Sequence, residues 1–116
     1  FVRNGANLIF VITNDGWWGD TPGHRQHFEM SKLRAIENRR SIARSANTGI
    51  SGFINLRGDV VEQTNYWEPD ALRNTMAVND EMTFYSQHGD YLYRIASFLA
   101  VIIMCFTFVI SIIRKR

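Results

Sequence analysis

The chemistry-bearing residues concentrate in one short stretch, Asn14 to Asp20, which reads NDGWWGD. It offers two carboxylates, an amide and two indoles between two glycines. Gly16 and Gly19 let the backbone turn sharply or approach a ligand closely. Trp17 and Trp18 add large amphipathic rings to a loop that is otherwise wholly polar. A short apolar run precedes the loop and Thr21-Pro22 follows it, which marks a helix start. A loop between a strand end and a helix N-terminus is where open α/β sheets bind ligands. It is also where anionic or developing negative charge is stabilised. The same Trp pair suits a core plug and a lid over the next helix, so spacing alone leaves the two readings level.

Other candidate groups carry less. His24 and His27 lie three apart, without the i, i+4 spacing and the Glu of a zinc-protease helix and without an evident third ligand, so no metal site is expected. Glu37 would share a helix face with Met30, Leu33, Arg40 and Arg44, which predicts a charge network with Arg40 or Arg44 at the edge of a packed face. Arg57-Gly58-Asp59 reads as a turn chosen for backbone reasons. Cys105 is the one cysteine of the 116 residues. It excludes a disulfide framework and a cysteine-rich zinc site, and its apolar surroundings keep the thiol protonated and inert. No catalytic residue and no cofactor is assigned within the chain.

The elements that must position the loop follow from pattern. Gly5 marks the end of a preceding helix. Ala6 to Thr13, rich in Ile, Val and Phe, suits a strand buried on both faces. Asn14 to Gly23 is loop. From Thr21-Pro22 a helix is predicted to about Ala46, with no Gly or Pro after Gly23 to stop it. Asn47 to Leu56 and Val60 to Thr64 read as the arms of a hairpin around Arg57-Gly58-Asp59. Arg73 to Val78 reads as a further strand after the Glu68-Pro69-Asp70 turn, and Thr83 to Asp90 as polar connecting chain. This order is that of the closing half of a layered α/β domain. The opening Phe1-Val2 enters a folded-looking pattern at once and reads as the C-terminal piece of a longer protein.

Ile95 to Ile113 carries no charge, and its only polar residues are Ser97, Thr107 and Ser111. Nineteen helical residues span about 28 Å, close to the roughly 30 Å hydrocarbon thickness of a bilayer. Tyr91 and Tyr93 sit where interfacial aromatics belong, and Arg114-Lys115-Arg116 where positive-inside charge belongs. Residues 1–94 carry a net charge of −1 and the final triplet +3, so the basic pI of about 9.0 is a property of the tail. That gives no ground for nucleic-acid binding, which needs clustered charge on a folded face. The expected division is residues 1–90 as part of a catalytic domain and 91–116 as a membrane helix with a basic tail. The expected topology has residues 1–94 outside and the C-terminus in the cytoplasm.

The stretch ITNDGWWGDTPGHRQHFEMSKLRAIENRRSIARSANTGISGFINLRGDVV, starting at Ile12, resembles the nitrilase (carbon-nitrogen hydrolase) superfamily. That superfamily carries an N-D-x-W-F-G type loop after a strand, an R-A-x-E-N helix and then N-x-G. Within it, the details resemble the apolipoprotein N-acyltransferase family. The resemblance rests on Asn14 to Asp20, His27, Arg34-Ala35-Ile36-Glu37-Asn38, Asn47-Thr48-Gly49-Ile50-Ser51, and Tyr85 to Asp90 running into the final span. Trp18 stands where Phe is common. The resemblance implies an α-β-β-α sandwich followed by one transmembrane helix, and a Glu-Lys-Cys triad lying upstream of this chain. Glu37 matches the family's helix glutamate, not the triad one.

It further implies that a phospholipid acyl donor loads a cysteine thioester and a diacylglyceryl lipoprotein accepts the acyl group on its N-terminal amine. The setting would be the bacterial inner membrane, with residues 1–94 periplasmic. Asn14, Asp15, Trp17 and Trp18 are the expected substrate-binding residues. The alternatives are a membrane-anchored nitrilase-like amidase of small amides and a catalytically dead interaction domain.

Overall fold

A computed structural model describes residues 1–114, so Lys115 and Arg116 of the basic triplet lie outside the described residues. A 3-10 turn, Val2–Asn4, is closed by Gly5 in the left-handed region (φ 94°), and a second, Gly16–Trp18, lies in the loop after the first strand. Then come β1 (Ile9–Thr13), α1 (Gly23–Asn38), β2 (Ile42–Ala46), β3 (Gly52–Ile54), β4 (Val60–Gln63), α2 (Phe84–His88) and α3 (Tyr91–Ile113). The strands form one mixed sheet in the order β1-β2-β3-β4. β1 and β2 are parallel, with Ile9 opposite Ile42 and Thr13 opposite Ala46. A parallel pair needs a crossover, and α1 supplies it. β3 runs antiparallel to both β2 and β4. The class is α/β, as expected.

α1 covers one face of the sheet. Its Phe28 and Ala35 pack with Ile42 and Ile54, flanked by Ile9, Val11, Ile50 and Val60. The other face is open: Phe10 and Ile12 are 72% and 88% exposed. Within the described residues the first strand is therefore covered on one face rather than on the two expected. Its inward residues touch α1, and nothing among the described residues covers the opposite side.

The largest correction concerns the long helix. It stops at Asn38, because Arg39 turns into the left-handed region (φ 50°) and its N–H bonds back to the carbonyls of Ala35 and Ile36. A strand then replaces the expected last two helical turns. Ile42 and Arg44 are buried while Ser45 is exposed, which is the alternation of a half-covered strand. Glu37 consequently pairs with Arg34 at 2.6 Å rather than with Arg40 or Arg44. Arg40, 1% exposed, instead gives its guanidinium to the backbone carbonyls of Ala6, Asn38, Arg39 and Glu81.

The hairpin forms as expected, with a bulge at Phe53/Ile54 and a turn in which Gly58 takes φ 86°. Its first arm is shorter than predicted, since Asn47 to Ser51 is a turn. Residues 73–78 join no ladder among the described residues. Side chains hold the segment they lead into: Ser41 Oγ donates to the Ala77 carbonyl at 2.6 Å, and Asn79 Nδ2 to the Arg39 carbonyl at 2.9 Å. The expected strand at Arg73 to Val78 is thus a strap across the fold. Residues 83–90 contain α2, whose Thr83 Oγ1 accepts from the Ser86 N–H as an N-cap.

α3 begins at Tyr91, four residues before the apolar run, because the Asp90 carboxylate caps the Tyr93 N–H at 3.1 Å. Its most apolar 18 residues have a mean hydropathy of 2.7 and none of them is buried, and the 23-residue helix is long and apolar enough to cross a bilayer.

Candidate functional site

Because β1 and β2 are parallel, their carboxyl ends lie side by side and the chain leaves both at one edge. The Asn14–Gly19 loop departs from β1, the Asn47–Gly49 turn departs from β2, and the N-terminus of α1 arrives beside them. Asp15 ties the three together. Its side chain is fully buried, with Oδ2 accepting from Arg44 Nη2 at 2.8 Å and Oδ1 2.9 Å from His27 Nδ1. Thr13 Oγ1 donates to the same Oδ1 at 3.1 Å, and the Asp15 N–H donates to Asn47 Oδ1 at 3.2 Å. Arg44 completes the knot by donating to Ser31 Oγ on α1 and to the Ile50 carbonyl.

A fully buried carboxylate beside a fully buried guanidinium is stable only with such complete pairing. Burial pushes the Asp15 carboxyl up. The hydrogen bonds of His27 and Arg44, the Arg44 charge and the Thr13 hydroxyl outweigh it and hold the group below its ordinary value. The packing leaves no slack. A Cβ on Gly49 would overlap the Asp15 carboxylate.

The rest of the loop faces outward. Asn14 Oδ1 accepts from the Gly16 N–H at 3.0 Å, a side-chain-closed turn. Trp17 is 84% exposed and Trp18 45%. The Trp18 ring lies against the α-carbon of Gly23, where a Cβ would strike the indole. Its ring centroid is 6.5 Å from that of His27.

A second aromatic loop docks on the first. Tyr66 stacks on His24 with centroids 3.8 Å apart and donates its hydroxyl to the Gly19 carbonyl at 2.6 Å. Trp67 follows in the left-handed region (φ 63°), held by its N–H bond to the Thr48 carbonyl. That region is costly for a bulky residue and marks a position fixed by its surroundings. Gly19, Asp20, Tyr66 and Trp67 line an open cavity of about 380 Å³.

Of the four residues expected to bind substrate, Asn14, Trp17 and Trp18 therefore reach the open side of the loop. The Asp15 side chain points inward and leaves only its backbone at that surface. His24 and His27 face different partners, and among the described residues no cluster of three or more metal-ligating side chains exists. Two elements of the site escaped the sequence reading. Arg44 was placed on a helix, although the Ile42-Arg44 alternation was there to be read. Tyr66-Trp67 carried no spacing signal at all.

The profile of the carbon-nitrogen hydrolase family matches residues 1–80. Similar curated proteins bear the name apolipoprotein N-acyltransferase. The one from Chlorobaculum tepidum is 35% identical over 116 residues, all of this chain and 21% of that protein. The one from Agrobacterium fabrum is 40% identical over 100 residues, covering 84% of this chain and 19% of the relative. In Allorhizobium ampelinum the identity is 54% over 57 residues, 49% of this chain and 11% of the relative. The chain spans about a fifth of the length of the first two.

Proposed function

The chain belongs to the carbon-nitrogen hydrolase family, and on that premise we propose that it is the C-terminal portion of a membrane N-acyltransferase acting on lipoproteins. The observation that carries this reading is the end-to-end similarity to an apolipoprotein N-acyltransferase. It runs beyond the family domain and through α3. Residues 1–90 form part of the catalytic domain and 91–116 the membrane helix with its basic tail. The helix crosses the bacterial inner membrane, with residues 1–94 on the periplasmic side and the C-terminus in the cytoplasm.

In the proposed reaction an upstream cysteine thiol takes the acyl group of a phospholipid, releasing a lysophospholipid. The N-terminal amine of a diacylglyceryl-cysteine then attacks the thioester, forming the amide and freeing the thiol. Both substrates are held in a bilayer, so a domain tethered by α3 meets them at high local concentration. Asn14, the Asp15 backbone, Trp17 and Trp18 line the substrate entrance. The Asn14-Asp15 backbone stands near the reacting carbonyl, at a helix N-terminus suited to a developing oxyanion. The Asp15–Arg44 pair keeps that loop in one shape.

The test supplies the full-length protein in vesicles with acyl-labelled phospholipid and a diacylglyceryl lipopeptide. Label moving to the peptide amine, with stoichiometric lysophospholipid, supports the proposal. Hydrolysis of small amides without acyl transfer overturns it in favour of a membrane-anchored amidase.

A further inference from the structure

The passage from α2 into the apolar helix leaves no slack. α2 ends at His88 and α3 begins at Tyr91, so only Gly89 and Asp90 join them. Gly89 takes φ 70°, a region that suits glycine, and its N–H closes on the Tyr85 carbonyl at 2.7 Å. The Tyr91 N–H bonds back to the Gly89 carbonyl at 2.9 Å, and the Asp90 carboxylate caps α3. Phe84, at the start of α2, meets Tyr91 edge-on with ring centroids 5.0 Å apart and stacks on His88 at 4.1 Å. Helix–helix loops this short adopt few conformations, in contrast to a flexible linker.

α2 is itself held at both ends by residues distant along the chain. At its start the Thr83 hydroxyl donates to the Glu37 carbonyl at 2.5 Å while accepting the Ser86 N–H at 3.0 Å. Ser86, which is buried, donates its hydroxyl to Asn38 Oδ1 at 3.0 Å. Glu37 and Asn38 close α1, whose final carbonyls need partners from outside the helix. At the other end, Arg3 Nε donates to the Ser86 carbonyl at 2.5 Å and Arg3 Nη2 to the Gln87 carbonyl at 3.0 Å. Those carbonyls belong to the last turn of α2, and the guanidinium comes from the turn that leads into β1. The residues expected to be plain connecting chain are therefore pinned to α1 on one side and to the approach of β1 on the other. Every one of these partners is a residue of this chain.

We propose that α2 is a rigid joint that sets the height and tilt of the catalytic domain above the bilayer, with Arg3 and Thr83 as its positioning residues. The inference rests on the acyltransferase reading. A plain tether would bring the domain to the membrane in every attitude. A joint selects one, and orientation of this kind raises the rate only for a partner whose own position is fixed. A phospholipid in a bilayer has a fixed depth and direction, whereas a dissolved one tumbles and finds the entrance at any attitude. The joint should therefore matter for bilayer lipid and not for dissolved lipid.

The test inserts Gly-Ser-Gly-Ser between Gly89 and Asp90 of the full-length protein in vesicles. The contacts of α2 and the Asp90 cap stay intact, and only the joint is freed. Lysophospholipid release is followed from two donors, with hydroxylamine as the common acyl acceptor. One donor is the vesicle phospholipid, and the other is a dihexanoyl phospholipid of the same headgroup, dissolved below its micelle concentration. We expect the ratio of vesicle rate to dissolved rate to drop fivefold or more at unchanged abundance. A smaller drop overturns the proposal, whether both rates hold, as for a plain tether, or both fall together, as for a joint that only stabilises the fold. Arg3→Gln lets go of α2 without lengthening the chain and keeps the test decisive where the insertion lowers abundance. It should lower the same ratio twofold or more, and an unchanged ratio overturns the proposal equally. A wild-type protein that releases lysophospholipid from neither donor overturns the acyltransferase reading, and this inference with it.

Discussion

The buried pair Asp15–Arg44 allows a quantitative test. Both side chains are fully buried and 2.8 Å apart. Asp15→Asn strands a guanidinium that keeps only Ser31 Oγ and the Ile50 carbonyl as acceptors. Removing one partner of such a pair costs about 3–5 kcal/mol. Arg44→Met strands the carboxylate, which retains His27 and Thr13 as donors, so the cost should fall near the lower end, about 3 kcal/mol. If the two acted independently, the double variant would lose about 6–8 kcal/mol. It should lose far less, because no buried charge remains. The remaining loss is the donor of Ser31 and that of Ile50, about 1 kcal/mol each. The cycle therefore predicts a coupling of about 4 kcal/mol or more. A protein carrying so apolar a helix is best followed by the rate of irreversible thermal inactivation in detergent, with ratios of half-lives converted to free energies of activation. Additivity of the two variants within about 0.5 kcal/mol would refute the argument that the loop is held by this charge pair.

Further outcomes follow from the same geometry. The Asp15 carboxyl is held below its ordinary value, so its stabilising contribution is complete above about pH 4 and is lost as pH falls through the lower folded value. Acid unfolding should be shallower in Asp15→Asn, and an unchanged acid slope would contradict the assignment. Gly23→Ala adds helix propensity but drives a methyl into the Trp18 ring. It should therefore shift Trp18 fluorescence and slow acyl transfer, and wild-type emission would show that the ring does not rest on Gly23. Trp17→Ala removes a ring that is 84% exposed, so stability should change by no more than about 0.5 kcal/mol while transfer slows. Normal specific activity would remove Trp17 from the substrate entrance. Cys105→Ser, on the exposed surface of α3, should leave turnover near wild type, and a large drop in kcat at normal abundance would give the thiol a role.

Much of the site was legible because its determinants are local. Glycines and a Thr-Pro step announce the Asn14 loop within ten residues, and an uncharged run announces α3. What the sequence concealed was carried by contacts distant along the chain. α1 ends at Asn38 with neither Gly nor Pro, through a left-handed Arg39 and an Arg40 whose partners reach from Ala6 to Glu81. Arg44 looks like a surface charge on any helical reading, and only β1–β2 pairing brings it under Asp15. Tyr66 meets Gly19 across 47 positions. Residues 73–78 have strand composition but pair with no strand among the described residues, and composition does not reveal which neighbour a segment will have.

The strap from residue 73 to Thr83 links the sheet to α2 and so to α3, and its attachment is one-sided. The carbonyls of Ala77 and Glu81 are gripped by Ser41 and Arg40, while of its backbone amides only those of Asn79 and Glu81 donate among the described residues, to the Asn7 carbonyl and to Asn79 Oδ1. The other amides of the strap have no hydrogen-bond partner among the described residues, so they should exchange with deuterium quickly while the backbone stays in place. It also makes Arg40 a mechanical coupling. A pull on α3 is passed through Glu81 to the start of β2 at the guanidinium, whose planar fork serves several carbonyls at once. A lysine there has one point of attachment, and would let the membrane helix slip relative to the sheet without unfolding either.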